Sequence, residues 1–400
     1  MYKASAKKGS NRNRILESIF RNPAISRTEI AALTGITPAT TTQTIARLME
    51  EGVVQELGED SSDASGAGRK RISLGIVPDY RYALGIEFNQ TCLCTLITDL
   101  SGTVIYEHKL PYEPALRKHI TEIILAEIAD ALRSAALTQE QLVGIGIAVP
   151  GHMDEAASRV ISNHNVWQRF DASLIRAHYK LPIVLENNAR CMALARYLFH
   201  PAQTPDSFAL FHVGLGMFCA NLVDGNLFLG NTYVSGEIGH TIVNPNGVRC
   251  ECGKQGCLQT IASERWLIQN VRKLYELNAS PLLRLLADTP DDISIDTIAN
   301  AYDLGDEAVT VYVTNAMRYL GIATSNIAIL MNPEKIFLHG KLFAYPNIRK
   351  ELLDVFRNQL SFVGSDTAGN IEILPCSAAD GAIGGCALAI LESFLEVSYS

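Results

Sequence analysis

The stretch Cys250-Glu251-Cys252-Gly253-Lys254-Gln255-Gly256-Cys257, preceded by Gly236-Glu237-Ile238-Gly239-His240, brings three thiols and an imidazole into one short segment. His240, Cys250, Cys252 and Cys257 make up a complete tetrahedral zinc shell. The two glycines between the cysteines permit a tight knuckle over 240–257, and the nine residues between His240 and Cys250 are enough chain to return the histidine to the metal. Four protein donors leave no open position for water, so the predicted Zn2+ is structural rather than catalytic. The alternative is three buried or loosely paired thiols beside an unrelated core histidine.

Length and charge bound the rest. Four hundred residues suggest two or three domains. With 48% hydrophobic and 19% charged residues, the chain reads as a soluble globular protein. It has no apolar run of membrane-helix length and no apolar signal core at its start, which predicts a cytoplasmic protein without a membrane partner. Cys92, Cys94, Cys191, Cys219, Cys376 and Cys386 lie in apolar contexts, where a reduced thiol is a small hydrophobe. Through Leu48 there are eight Lys or Arg against Glu17 and Glu29, giving +6, so with an overall charge of −8 the remainder carries −14. A basic head on an acidic body suggests that only the head meets a polyanion.

Residues 12 to 54 divide into three short amphipathic helices. Ile15, Leu16, Ile19 and Phe20 form the first apolar stripe, which ends near Asn22-Pro23. Ser26 with Glu29 is a capping box opening a helix that carries Ile30, Ala31 and Leu33 and stops at Gly35. Pro38 lies in the first turn of a third helix with Ile45, Leu48 and Met49 on its apolar side and Gly52 as its stop. Two helices joined by a short Gly-containing turn are the helix-turn-helix pattern, the alternative being a small helical dimerisation module. The predicted exposed face of the third helix carries Thr37, Thr40, Thr41, Gln43 and Thr44, side chains able to meet base edges. Arg27 and Arg47 are placed for phosphate contacts. Residues 1–58 then form the DNA-binding domain. A polar linker over 59–79 follows, ending in Gly68-Arg69-Lys70-Arg71, where Arg69 suits a narrow minor groove. A solvated linker is the competing reading. Residues 80–400 form the body.

In the body, Tyr82 to Phe88, Cys92 to Thr98 and Val104 to Leu110 read as a three-stranded meander, followed by a helix near His119 to Ala135 and a strand from Gly144 to Val149. GEIGH followed by CECGKQGC, together with GIGIAVPG at Gly144 to Gly151, SNHNVW at Ser162 to Trp167 and ENNARCMALAR at Glu186 to Arg196, resembles the ROK family of sugar kinases and sugar-responsive repressors. ISRTEIAALTGITPATTTQTIARLMEEGVV is similar to the DNA-binding segment of the ROK repressors, which the plain kinases lack. The resemblance implies an α/β protein: an N-terminal (winged) helix-turn-helix followed by a two-lobed actin-like, ribonuclease-H-like sugar-kinase fold, with a last helix at about Gly381 to Glu396 packing back on the first lobe.

It also implies which chemistry is missing. Where family kinases carry an Asp-x-Gly-Gly-Thr turn for ATP phosphates, this chain has Glu87-Phe88-Asn89-Gln90-Thr91. The second phosphate element survives only as Gly214-Leu215-Gly216-Met217-Phe218. The family's catalytic aspartate is replaced by Asn188, and an amide is no general base near neutral pH. Sugar recognition needs only placed donors and acceptors, for which the resemblance offers Asn187, Asn188, Glu237, His240 and Gln259, with Asn165 at the same cleft or bracing a loop. Gln259 stands where the family usually has glutamate. The expected protein is not an enzyme but a repressor of carbohydrate-metabolism genes, released from an operator by a sugar or sugar phosphate. It is expected to act as a homodimer or dimer of dimers. The competing readings are an ATP-dependent sugar kinase with a DNA-binding head and a repressor controlled by a partner protein.

Overall fold

The computed structural model describes residues 10–59, 71–111, 113, 119–154, 159–161, 167–231, 234–361 and 370–397. Arg69 and Asn165 lie outside them. The chain divides into two compact units, Met1–Pro205 with Ala378–Ser400, and Asp206–Ser377.

The first unit opens with α1 (Asn11–Arg21), β1 (Ile25–Ser26), α2 (Arg27–Thr34), α3 (Pro38–Glu50), β2 (Val54–Glu59) and β3 (Ile72–Ile76). Each helix opens on a side-chain cap, of which the sequence reading named Ser26. The Ser10 hydroxyl accepts from Asn13 N, Ser26 and Glu29 close a capping box, and Thr37 caps α3 with Pro38 at its first position. Gly35 ends α2 in the left-handed region at φ +67°. Ile15, Leu16, Ile30, Ile45 and Leu48 are buried together, each stabilising the head by roughly 1.5–3 kcal/mol. Leu33 departs from the expected stripe and is 65% exposed.

The segment read as a linker is partly a wing. Val54–Glu59 pairs antiparallel with Ile72–Ile76, and β3 also pairs with β1 in the order β1-β3-β2. The alternation that makes these residues strands was masked by the polar run between them. The head also packs on the rest of its unit: Asn13 Nδ2 donates to Glu396 Oε2 at 2.7 Å, and the Phe20 and Phe394 rings meet edge-on at 6.4 Å.

The remainder of this unit comprises β4 (Tyr82–Phe88), β5 (Cys92–Asp99), β6 (Val104–Pro111), α4 (Ile120–Ser134), β7 (Leu142–Val149), β8 (His152–Asp154), β9 (Arg159–Ile161), α5 (Ala172–His178), β10 (Ile183–Asn187) and α6 (Asn188–Phe199). The sheet order is β10-β7-β4-β5-β6, with β4, β5 and β6 antiparallel and β4, β7 and β10 parallel. The meander, the helix and the following strand thus stand within a residue or two of their predicted bounds.

The second unit comprises β11 (Phe208–Val213), β12 (Met217–Val223), β13 (Asn226–Leu227), α7 (Gln259–Ala262), α8 (Glu264–Glu276), α9 (Pro281–Leu286), α10 (Ile295–Asp303), α11 (Glu307–Met331), β14 (Lys335–His339), α12 (Pro346–Gln359) and β15 (Ile371–Leu374). Its sheet, β13-β12-β11-β14-β15, repeats the first topology: three antiparallel strands and two parallel additions. The chain then re-enters the first unit as α13 (Asp380–Ala389), continued by one π-helical stretch over Ile390–Phe394. Glycines let α13 lie directly on that unit's sheet, since a Cβ at Gly146 would sit 1.8 Å from the Gly385 carbonyl oxygen. Of the six cysteines read as buried hydrophobes, five are buried and Cys376 is exposed. Among the described residues no helix is long and apolar enough to cross a membrane.

Candidate functional site

The knuckle belongs wholly to the second unit. His240 ends a 3₁₀ turn, Ile238–His240; just before it the Gly236 carbonyl accepts from Cys219 N at 2.8 Å and from Ile238 N at 2.7 Å. Cys250 N donates to Lys254 O and Gly253 N to Cys250 O, closing the loop on itself. Gly253 and Gly256 have φ of +88° and +73°, and a Cβ at Gly256 would strike the Asn244 carbonyl at 1.6 Å. A side chain at 256 would open the knuckle.

The donor atoms of His240, Cys250, Cys252 and Cys257 all lie within 4.8 Å of one another. Cys250 Sγ is 3.6 Å from His240 Nδ1, and Cys252 Sγ is 3.6 Å from Cys257 Sγ. A tetrahedral shell with bonds of about 2.0–2.3 Å has edges of roughly 3.3–3.8 Å, so the donor set fits a metal ion of that kind. Burial, helped by the adjoining thiols, pushes the Cys257 thiol up to about 12 and raises Cys250. At Cys252 the same burial is outweighed by hydrogen bonds, from the Lys254 backbone and the neighbouring thiols, and the thiol lies below its ordinary value. Three crowded sulfurs resist sharing negative charge unless a cation joins them. The other imidazole nitrogen, His240 Nε2, faces Glu237 Oε2 at 3.8 Å, beyond hydrogen-bond reach, so both groups have capacity for a ligand between them.

The sugar candidates fall in both units. In the first, Asn187 is buried and caps α6, its Oδ1 accepting from Ala189 N and Arg190 N while Nδ2 donates to Gly151 O at 3.1 Å. Its amide therefore holds the turn. Asn188 is half-buried, and its Nδ2 donates to Glu87 Oε1 at 3.1 Å. Sequence reasoning placed Glu87 in a lost phosphate turn and missed this pairing, which unites the two positions where kinase chemistry would sit. The following turn is stitched shut by Asn89 Oδ1, which accepts from Thr91 N, the Thr91 hydroxyl and Cys92 N. Glu186 and the buried Arg190 form an ion pair at 3.2 Å that the sequence reading also left unassigned. In the second unit, Glu237 and His240 are half-buried on one turn, and Gln259 starts α7 with Nε2 donating to Glu251 Oε1 at 3.0 Å.

In the head, α3 presents Thr42, Gln43 and Arg47 to solvent. Thr41, predicted on this face, is fully buried, and its Oγ1 has no hydrogen-bond partner in the structure. It lies four and seven residues before Ile45 and Leu48, on the apolar stripe, and this spacing was the signal for it. Thr42 takes its place. Thr37 is exposed and donates to Thr40 Oγ1 at 2.9 Å, while Thr40 and Thr44 are half-buried. Arg27 is paired with Glu56 at 2.9 Å, so a phosphate would have to displace that carboxylate.

Known proteins divide in the same way. A winged helix-turn-helix DNA-binding profile matches residues 10–55, and the ROK family profile matches residues 83–391. The chain is 27% identical over 394 residues to the xylose repressor of Bacillus subtilis (strain 168), spanning 97% of this chain and 96% of that protein. It is 27% identical over 355 residues to the DNA-binding transcriptional dual regulator NagC of Escherichia coli (strain K12), spanning 86% and 85%. Among solved structures, a ROK family transcriptional regulator described as a homolog of the E. coli MLC protein superposes with TM-score 0.73 at 23% identity, covering 97% and 96%. A ROK glucokinase from Streptomyces griseus superposes with TM-score 0.65 at 24% identity, covering 78% and 99%. The two structural likenesses speak to the fold. With the family profile spanning most of the chain beyond the head, the chain belongs to the ROK family.

Proposed function

We propose that this protein is a sugar-responsive transcriptional repressor of carbohydrate-metabolism genes. Its winged helix-turn-helix binds a double-stranded operator, and its ROK body binds a sugar or sugar phosphate that releases it. One observation carries the choice of repressor over kinase: Asn188 donates to Glu87 where phosphoryl transfer would need a carboxylate base and an open phosphate cradle. The names of the relatives, a xylose repressor and the regulator NagC, support the same choice.

In this reading Gln43, Thr42 and Arg47 of α3 meet the major groove, with Thr37, Thr40, Thr44 and Arg27 around them, and Arg69 contacts the minor groove. In the second unit Glu237 and His240 hydrogen-bond the effector, with Gln259 beside them on the knuckle; in the first unit Asn187 holds the turn that carries Asn188. The metal is Zn2+ held by His240, Cys250, Cys252 and Cys257. It supplies a rigid cross-link rather than a reactive centre, because the four donors close its shell. A homodimer or dimer of dimers on a two-fold operator follows from the few base pairs that one such head reads, and the protein works in the cytoplasm.

The test has two arms. Operator binding by fluorescence anisotropy should weaken with one member of a hexose, pentose, amino-sugar and sugar-phosphate panel. Phosphate transfer from ATP should be absent in the wild type and in Asn188→Asp, because the Asn89 turn still closes the cradle. Measurable turnover in the wild type would overturn the repressor reading in favour of a kinase, and turnover in Asn188→Asp alone would show that the Asn89 turn does not close the cradle. A panel without any binding sugar would leave a protein partner as the effector.

A further inference from the structure

Gln259 lies where the knuckle meets the turn that carries Glu237 and His240. Its backbone is fixed from both sides, by Leu258 N donating to Thr241 O at 2.9 Å and by the start of α7. The side chain reaches Glu251, Cys250 and Gly239. Nε2 donates to Glu251 Oε1 at 3.0 Å and lies 3.5 Å from Cys250 Sγ, while Oε1 faces Gly239 closely enough that a Cβ there would stand 3.1 Å away. Glu251 is held in turn by Arg265 at 3.6 Å.

These contacts choose an amide over a carboxylate. An N–H directed at a metal-bound sulfur takes up part of its charge, and the same NH2 group satisfies Glu251. A carboxylate at this position would bring lone pairs to a carboxylate at 3.0 Å and a sulfur at 3.5 Å, and like charges at such distances repel. Resting on the assignment of the knuckle as a zinc centre, we propose that Gln259 is a positioning residue for that centre. Its amide donates to the Cys250 sulfur and anchors Glu251, so that the knuckle keeps its shape around the metal. Outer partners of this kind change metal affinity by about 10–100-fold.

The test uses the full-length protein, loaded with Zn2+ and titrated with a competing chelator at fixed pH. Gln259→Glu should weaken zinc binding by about 10–100-fold. Adding Glu251→Gln to it should recover part of the loss, because an acceptor then faces a donor again. With Co2+ in place of zinc, the sulfur-to-metal charge-transfer band should shift in Gln259→Ala, which lacks the N–H but introduces no charge, so the test survives if Gln259→Glu folds poorly. Wild-type zinc affinity and an unshifted cobalt band in both single variants would overturn the role of Gln259 alone. A wild-type protein that binds no stoichiometric zinc would instead overturn the metal assignment, and the inference with it.

Discussion

At the scale of the residue, chemistry was more legible than facing. The knuckle candidates and the Ser26–Glu29 capping box were named from residue type and spacing, because metal geometry and capping depend on little else, whereas the absent kinase base was named from the family resemblance. Thr41 was misplaced because three threonines in a row look alike, and only the register of Ile45 and Leu48 tells which one enters the core. Thr41→Val should therefore leave operator preference unchanged and keep or raise stability by about 1 kcal/mol, since it removes a buried hydroxyl without a partner. Gln43→Ala should relax sequence preference in the same binding assay. A loss of specificity in Thr41→Val would return that residue to the DNA face.

A second residue effect is a matter of pH. Burial raises the Glu264 carboxyl to about 7, against the pull of the Lys341 backbone N–H and charge, from 4.5 in the unfolded chain. Between those values the folded form binds more protons than the unfolded one, so this group's contribution is full below 4.5 and is lost as pH rises through 7. Glu264→Gln keeps the acceptor for Lys341 N and does not titrate. Relative to this variant, the wild type should lose on the order of 3 kcal/mol across the window, read by urea unfolding at several pH values. The His212 imidazole, held down at about 3 by burial and by His339, loses its contribution in the opposite direction, as pH falls below 6.5. Both proteins share that slope, so it leaves the comparison untouched.

At the scale of the element, four strands of the first sheet, β4 to β7, and the three head helices were readable from apolar period and caps, while β10 was not read as a strand. Two further features were not readable. The wing strands are separated by a polar run that dominates local composition, and strand pairing across such a gap is a tertiary fact. The docking of α1 on α6 and on the stretch after α13 was equally hidden, because Arg21 and Tyr197 are far apart in sequence. The Arg21 guanidinium stacks over the Tyr197 ring at 3.8 Å and donates to the Tyr197 carbonyl at 2.5 Å. Arg21→Ala should weaken this docking by about 1–2 kcal/mol. Hydrogen exchange would show faster opening of α1 with the sheet of the first unit unchanged. Unchanged exchange in α1 would show that the head is held by Asn13 and Phe20 without Arg21.

At the scale of the whole molecule, a DNA-binding head is joined to a ROK body whose two sheets share one topology. The repeat was invisible as a sequence repeat, since each sheet is specified by burial pattern rather than by shared residues. The central claim is that a sugar held through Glu237 controls the operator-binding head. Linkage is reciprocal, so a sugar that weakens operator binding must bind less tightly to the DNA complex by the same factor, with a coupling of ~1–3 kcal/mol for a switch of this kind. The direct measurement is sugar affinity by calorimetry with and without saturating operator, in the wild type and in Glu237→Ala. The account predicts weaker sugar binding to the wild-type complex than to the free protein, and a Glu237→Ala protein that retains its zinc but has lost the response; equal wild-type affinities in the two states would contradict it.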